Sequence, residues 1–176
     1  MPLRAFPPRI QTAGPASFAL GPGWATVAAS PPARSPPLPD PVRVTRAIEF
    51  SSSRRLGRKD LSDAENRRLY GAKAGQHGHN YRLEVSLRGV PDARTGMLVD
   101  LKDVKAVLER EVMARFDHRD LNRDTDCFEK VPPTTEQLAL AIFGLLDRAF
   151  APGLLERVRL YEGPDLWVDV EREEHP

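Results

Sequence analysis

The chain has 176 residues, with 26 basic and 25 acidic side chains, so no overall charge favours nucleic acid or an anionic membrane as a partner. No apolar run approaches the roughly 20 residues that span a bilayer. A single cysteine, Cys127, excludes an internal disulfide framework and is typical of a reducing compartment. We therefore expect a cytoplasmic protein with one domain and an extension.

Residues 1–41 are rich in proline. Eleven of the 17 prolines lie there, and no acidic residue precedes Asp40. Proline at this density removes backbone donors and breaks helices, so the segment is predicted to be a disordered extension. A transit peptide and a start codon assigned too far upstream, with the true start near Val42 or Val44, are the alternatives. The folded domain is expected over residues 42–176.

The folded domain is predicted to open with two strands separated by a short helix. Residues 42–50 alternate loosely between apolar and polar, as a strand does. A capping box at 62–65 begins a helix that runs through Leu69 and ends at Gly71. The second strand, at 79–87, alternates cleanly, which predicts one buried face and one polar face.

Two helices and two strands complete the predicted domain. Asp100 caps a helix with apolar residues at helical spacing, residues 117–128 form a loop, and a cap at 134–137 begins the next helix. Strands follow at 157–162 and 166–171. The order ββααββ predicts an α+β fold, in which an antiparallel four-stranded sheet carries both helices on one face. The uncovered face and edges of such a sheet predict an oligomer.

Two of the four histidines, His77 and His79, lie one residue apart where the second strand begins. Residues i and i+2 of a strand point to the same face, so both imidazoles should project side by side on the apolar face. This arrangement supplies two nitrogen ligands for a metal ion. The alternative is a pair of structural histidines packed at the end of the sheet.

Seven short motifs follow one another between residues 48 and 170. They are FSSS at 50–53, LSDAEN at 61–66, HGHNY at 77–81, TGMLVDL at 95–101, DHRDLN at 117–122, TTE at 134–136 and YE at 161–162. In this order they resemble the 6-pyruvoyl-tetrahydropterin synthase and 6-carboxytetrahydropterin synthase family, which has the tunnelling fold. The resemblance implies a pterin triphosphate substrate and assembly into a barrel, as a homohexamer made of two trimers.

The resemblance also implies a zinc site. The family holds zinc with three histidines, of which this chain matches two, His77 and His79, whereas the third position holds Arg54. A guanidinium offers no lone pair to a metal, so we expect reduced zinc occupancy. The family's catalytic cysteine is replaced as well, and Lys73, nearest its place, is a candidate catalytic residue. Cys127 lies far downstream and is expected to be an apolar filler.

The remaining positions of the family's site are present. Asp117 and His118 match its acid–base pair, with a local hydrogen bond in a turn as the alternative. Thr134 and Thr135 match residues that line the pterin pocket, and Glu162 matches the carboxylate that binds the guanidine-like edge of the pterin. Because Glu162 ends a strand on its inward side, its carboxylate needs a partner. A pterin edge would serve, and so would an arginine that the sequence does not identify.

The implied reaction is that of a lyase. It removes triphosphate from 7,8-dihydroneopterin triphosphate and rearranges the side chain to a 6-substituted tetrahydropterin, with acid–base groups moving the protons. The replaced positions leave two alternatives open, a zinc-poor and catalytically impaired paralogue that binds pterin, and an inert scaffold subunit of the same fold. The sequence does not distinguish a pyruvoyl from a carboxy product, or biopterin from queuosine metabolism.

Overall fold

The computed structural model describes residues 40–173, which form a five-stranded sheet in the order β3-β1-β2-β4-β5 with helices packed against it. The predicted extension, apart from the exposed Asp40 and Pro41, lies outside the described residues. The strands are β1 (Val42–Arg54), β2 (His77–Gly89), β3 (Arg119–Asp120), β4 (Leu155–Gly163) and β5 (Leu166–Glu171). The predicted α+β class is confirmed.

The centre of the sheet is the antiparallel pair β1 and β2, which are joined over all 13 residues of each strand. At the end of this ladder Ser52 lies opposite His79, and Arg54 lies opposite His77. Directly opposed residues share a face of the sheet. The register therefore places Arg54 and both histidines on the same side, next to the buried ring of Tyr81.

Helices cover the core side of the sheet, and α4 packs on β4 and β5. They are α1 (Asp63–Tyr70), a 3₁₀ turn (Gly71–Ala74), α2 (Leu101–Leu108), a π-helical turn (Glu109–Met113), α3 (Ala114–Phe116) and α4 (Thr135–Ala149). In the π turn the N–H of Ala114 donates to the carbonyl of Glu109, five residues back. No helix within residues 40–173 is long and apolar enough to cross a membrane.

Three predicted helix caps are confirmed. Ser62 forms a capping box with Glu65, whose carboxylate accepts from the Ser62 N–H at 2.8 Å. Asp100 accepts from the N–H of Lys102 at 2.8 Å, and the Thr134 hydroxyl accepts from the N–H of Gln137 at 3.3 Å. Each cap satisfies a backbone donor that the first helical turn leaves without a partner.

The core lies between the sheet and α2, α3 and α4. It is built from alternate residues of β2 and β4 and from the inward stripes of the helices. Its fully buried members include Leu83, Val85, Leu108, Val112, Phe116, Leu138, Ile142, Leu146, Leu155, Val158 and Leu160.

The prediction of four strands is one strand short. Within the segment 117–128, predicted to be a loop, β3 pairs in parallel with β1, placing Arg119 opposite Ser52. Two paired residues carry no alternation that a sequence pattern could reveal. The predicted first strand is also four residues too short, since β1 continues to Arg54. This extension brings Arg54 into the sheet.

Candidate functional site

A buried ion pair lies where the end of β1 meets the start of α4 and the end of β4. The Arg54 side chain is 1% exposed, and its Nη2 donates to Glu162 Oε2 at 2.8 Å. Nη2 also donates to the Thr135 hydroxyl at 3.2 Å, and Nη1 donates to the carbonyl of Pro133 at 2.9 Å. Both terminal nitrogens of the Arg54 guanidinium thus donate hydrogen bonds within the chain, and the guanidinium lies over the ring of Tyr81 at 5.7 Å.

Glu162 uses its two carboxylate oxygens differently. Oε2 accepts from Arg54 and, through a short hydrogen bond, from the Thr135 hydroxyl. Oε1 has only longer contacts, at 3.5 Å to Nε2 of His79 and 3.9 Å to Nζ of Lys73. Burial raises the pKa of Glu162, but the Thr135 hydrogen bond and the Arg54 charge outweigh burial and hold that pKa below its ordinary value of 4.5. The side chain is therefore a carboxylate at neutral pH.

Both histidines at the start of β2 are half-buried, and their ring centroids lie 5.2 Å apart on the same face of the strand. Nδ1 of His77 donates to the carbonyl of Gly75 at 2.8 Å, and its Nε2 is buried without a partner among residues 40–173. Nε2 of His79 lies 3.4 Å from Nη2 of Arg54. Burial lowers the pKa of His79 below its ordinary value of 6.5, and Arg54 acts in the same direction while Glu162 opposes it.

The residues at this site do not fit a three-ligand zinc centre. The bond from His77 Nδ1 to a carbonyl is the support that metal-binding imidazoles commonly have, and it leaves Nε2 free to bind a metal. However, Arg54 brings only donors and a positive charge to within 3.4 Å of the second imidazole. No group of three or more His, Cys, Asp or Glu side chains in residues 40–173 is arranged to hold a metal.

Asp117 and His118 form a second polar cluster on the edge of β1. Nδ1 of His118 lies 2.9 Å from Asp117 Oδ2, and Asp117 Oδ1 accepts from the N–H of Ser51 at 2.9 Å. The Ser51 hydrogen bond lowers the pKa of Asp117, and His118 adds to this effect. The imidazole side chain is 83% exposed, on a residue with φ of 56°. Described contacts do not link this cluster to Glu162, so the predicted site residues fall into two groups within one chain.

The other predicted site residues lie at different distances from Glu162. Thr135 touches its carboxylate, whereas the Thr134 hydroxyl caps α4. Lys73 lies in the 3₁₀ turn, where its carbonyl accepts from the N–H of Leu56 and its exposed ammonium approaches Glu162 Oε1. Cys127 is half-buried, packs against the core and makes its described hydrogen bonds to Thr125 and Asp126.

The arginine that the sequence left unidentified as a partner for Glu162 is Arg54. The two residues are 108 positions apart, and no periodicity links strands so distant along the chain. A weak signal did exist, because Arg54 has the same strand parity as Phe50 and Ser52, both of which are buried. Recognising it would have required extending β1 beyond its apolar part.

A largely antiparallel sheet, in which only the short β3 is parallel to its neighbour, backed by helices on one face agrees with the predicted tunnelling fold. Residues 43–173 match the family model of 6-pyruvoyl tetrahydropterin synthase. The chain belongs to this family, as the motifs of the sequence indicated.

Relatives with known names support this membership. The chain is 40% identical over 122 residues to the 6-pyruvoyl tetrahydrobiopterin synthase of Homo sapiens, and the aligned region covers 68% of this chain and 84% of the human protein. It is 35% identical over 82 residues to the 6-carboxy-5,6,7,8-tetrahydropterin synthase of Synechocystis sp., which covers 44% of this chain and 61% of that protein. The solved structure of Caenorhabditis elegans 6-pyruvoyl tetrahydropterin synthase superposes with a TM-score of 0.72 at 33% identity, covering 77% of this chain and 98% of that one.

The first prediction concerns metal content. Purified protein dialysed against a mild chelator should hold well under one zinc ion per chain, because two imidazoles remain where three ligands are normal. Structural zinc sites contribute roughly 10–16 kcal/mol in total, so the loss of one ligand weakens binding by several kcal/mol. Arg54→His should raise the occupancy, as measured by elemental analysis. Stoichiometric zinc in the dialysed natural chain would contradict this.

The second prediction concerns the pH dependence of stability. The pKa values of His79 and Glu162 are both lowered, so the unfolded chain binds more protons and the free energy of unfolding falls on acidification. The His79 contribution is complete above pH 6.5 and declines as the pH falls below it; that of Glu162 declines as the pH falls below 4.5. Urea denaturation across this range should show both steps, with the lower step reduced in Glu162→Gln. A free energy of unfolding that rises on acidification would contradict the assignment.

Proposed function

We propose that this chain binds a reduced pterin at Glu162 and acts on 7,8-dihydroneopterin triphosphate as a slow lyase of the pterin synthase type. Membership of the family supports the substrate class. The replaced metal-ligand and cysteine positions support the slow turnover. The chain matches the family at the pterin-binding positions Thr135 and Glu162. At the catalytic positions it matches only the acid–base pair, since one metal ligand and the cysteine are replaced.

The observation that carries the proposal is the inward-facing carboxylate of Glu162. Its side chain is 10% exposed, and its lowered pKa keeps it charged in a place where an unpartnered charge would be unfavourable. A pterin offers two adjacent N–H donors on its pyrimidine edge, which match the two oxygens of a carboxylate. Thr135 fixes the orientation of the carboxylate by donating to Oε2.

The acid–base chemistry of the proposed reaction falls to Asp117 and His118. Asp117 is oriented by the Ser51 N–H and accepts a hydrogen bond from Nδ1–H of the imidazole. This arrangement leaves Nε2 of His118 facing solvent, where it can take a proton from a substrate carbon or return one. Nζ of Lys73 lies 3.9 Å from Oε1 of Glu162, and Lys73 is proposed as a second proton-transfer group.

Zinc chemistry has no place in the proposed steps, since Arg54 lies where a third ligand would be needed. The product is proposed to be a 6-substituted tetrahydropterin, with relatives of both the pyruvoyl and the carboxy names among the similar proteins. The second candidate is an inert scaffold subunit of the same fold. It is favoured by the Arg54–Glu162 pair, because the carboxylate already has a partner within the chain.

The third prediction separates pterin binding from turnover. Glu162→Ala should weaken binding of 7,8-dihydroneopterin in calorimetry by at least about 100-fold, since two charge-assisted hydrogen bonds of roughly 1.5–3 kcal/mol each are lost. Glu156→Ala is the matched control, because Glu156 lies on the same strand and pairs with Arg43 at the opposite end of the sheet. It should bind as the natural chain does.

Turnover of 7,8-dihydroneopterin triphosphate should be slow in the natural chain, and His118→Ala should remove what remains. Product formation followed by chromatography measures both rates. If the natural chain binds no pterin, only the scaffold function is left. Turnover at the rate of the three-histidine family members would instead show that Lys73 replaces the missing thiol.

We further propose self-association into a homohexamer. β5 ends the sheet within residues 40–173, and its Leu166 and Trp167 are 51% and 45% exposed. An open edge strand with exposed apolar side chains is suited to pairing with another chain.

The fourth prediction is that light scattering will give the mass of six chains and that Leu166→Glu will lower it, since a carboxylate cannot be buried unpaired in an interface. Leu140→Glu on the outer face of α4 is the control, as Leu140 is equally exposed at 51%. A natural chain with the mass of a monomer would contradict the proposal.

A further inference from the structure

The ion pair of Arg54 and Glu162 bears on how any ligand reaches the site. Oε2 of Glu162 already accepts from Arg54 and Thr135, while Oε1 has no partner closer than 3.5 Å among the described residues. A two-point contact with a guanidine-like edge needs both oxygens of the carboxylate. In this arrangement only one oxygen is available, so a pterin edge and Arg54 compete for the other.

We propose that Arg54 acts as an internal competitor of the ligand, so that a pterin binds only when its edge displaces the Arg54 guanidinium from Oε2 of Glu162. This inference rests on the proposed pterin binding. The guanidinium of Arg54 and the edge of a pterin present the same chemistry to the carboxylate, a planar set of N–H donors on a shared carbon. Each can therefore replace the other there.

The displaced guanidinium has a second acceptor within the chain. His77 lies directly opposite Arg54 in the β1–β2 ladder, and its Nε2 is buried without a partner. Because Nδ1 of His77 donates to the Gly75 carbonyl, Nε2 of the neutral ring carries the unshared electron pair. Nε of Arg54 is likewise buried and unpartnered among residues 40–173. A donor and an acceptor that both lack partners thus lie on directly opposed residues of the ladder.

Nη1 of Arg54 anchors the guanidinium to the Pro133 carbonyl in the arrangement observed. A rotation about the end of the side chain can keep this hydrogen bond while Nη2 leaves Glu162. The site then has two states, one with Arg54 on the carboxylate and one with the carboxylate open. A ligand that binds only the open state has its affinity reduced by the fraction of molecules that are open.

The test measures binding of 7,8-dihydroneopterin, which has no phosphate groups that a nearby positive charge would attract. Arg54→Met keeps the length and packing of the stem and removes the competing donors. Arg55→Met is the matched control, because the exposed Arg55 follows directly in the chain and is not part of the ion pair. In calorimetry the first variant should bind at least about tenfold more tightly than the natural chain, and the second should bind with unchanged affinity.

The outcomes distinguish this inference from the proposed function. Equal or weaker binding by R54M than by the natural chain overturns the competition and leaves the proposed function standing. Binding by R54M with none by the natural chain supports the competition and overturns the proposed function. If neither chain binds the pterin, both are overturned.

A measurement on the natural chain covers the case in which R54M does not fold. The side-chain Nε–H signal of Arg54 in a nitrogen-labelled sample is assigned by its loss in R54K. On saturation with 7,8-dihydroneopterin this signal should shift, as the guanidinium exchanges Glu162 for His77, while the Arg55 signal stays in place. An Arg54 signal that is unmoved in the saturated complex overturns the competition.

Discussion

The composition of the site depends on the register of β1 against β2. The two strands pair without interruption over 13 residues, and this pairing decides which side chains stand beside the two histidines. A slip of one residue would turn Arg54 and Ser52 to the opposite face. Because the core residues of both strands follow the same alternation, the packing that stabilises the sheet also holds the guanidinium in place. Fold and site are therefore specified together.

The energetics of Arg54 are those of a buried ion pair. Removing a guanidinium and a carboxylate from water is unfavourable, and the mutual attraction offsets this only when the remaining donors and acceptors are also satisfied. Here Thr135 and the carbonyl of Pro133 complete most of the set, whereas Nε of the guanidinium has no partner among residues 40–173. Changing either charged residue alone leaves the other buried without its counter-ion. Effects of single substitutions at Arg54 and Glu162 are consequently not additive.

The sequence predicted those features whose signals are local. The alternation of β2, the capping residues of three helices and the inward side of Glu162 all follow from spacings of a few residues, and the structure confirms them. The contact of Arg54 with Glu162 joins residues 108 apart and depends on how β1, β4 and α4 converge. Because no local spacing records a contact between residues so far apart, the sequence did not identify Arg54 as the partner of Glu162.

The sequence also does not predict where a short segment such as β3 lies in the sheet. Asp117 and His118 were grouped with the pterin-binding residues because the family motif groups them. In the chain itself β3 pairs on the outer edge of β1 and holds the pair there, with the His118 backbone bonded to Ser51. Two paired residues give no periodic signal, and a left-handed φ at a histidine gives none either.

The segments α2, the π-helical turn and α3 follow one another without a break from Leu101 to Phe116. The π-helical turn at Glu109–Met113 therefore sets how the end of this continuous helix meets β1. One residue fewer in that turn would restore ordinary α-helical bonding and rotate everything after it by about 100°. Phe116 would then leave the core, and its carbonyl would lose the hydroxyl of Ser52. The carboxylate of Asp117 would swing away from the strand edge that orients it. The length of this helix, counted to a single residue, is thus a requirement for placing the acid–base pair, although none of its own side chains takes part in the chemistry.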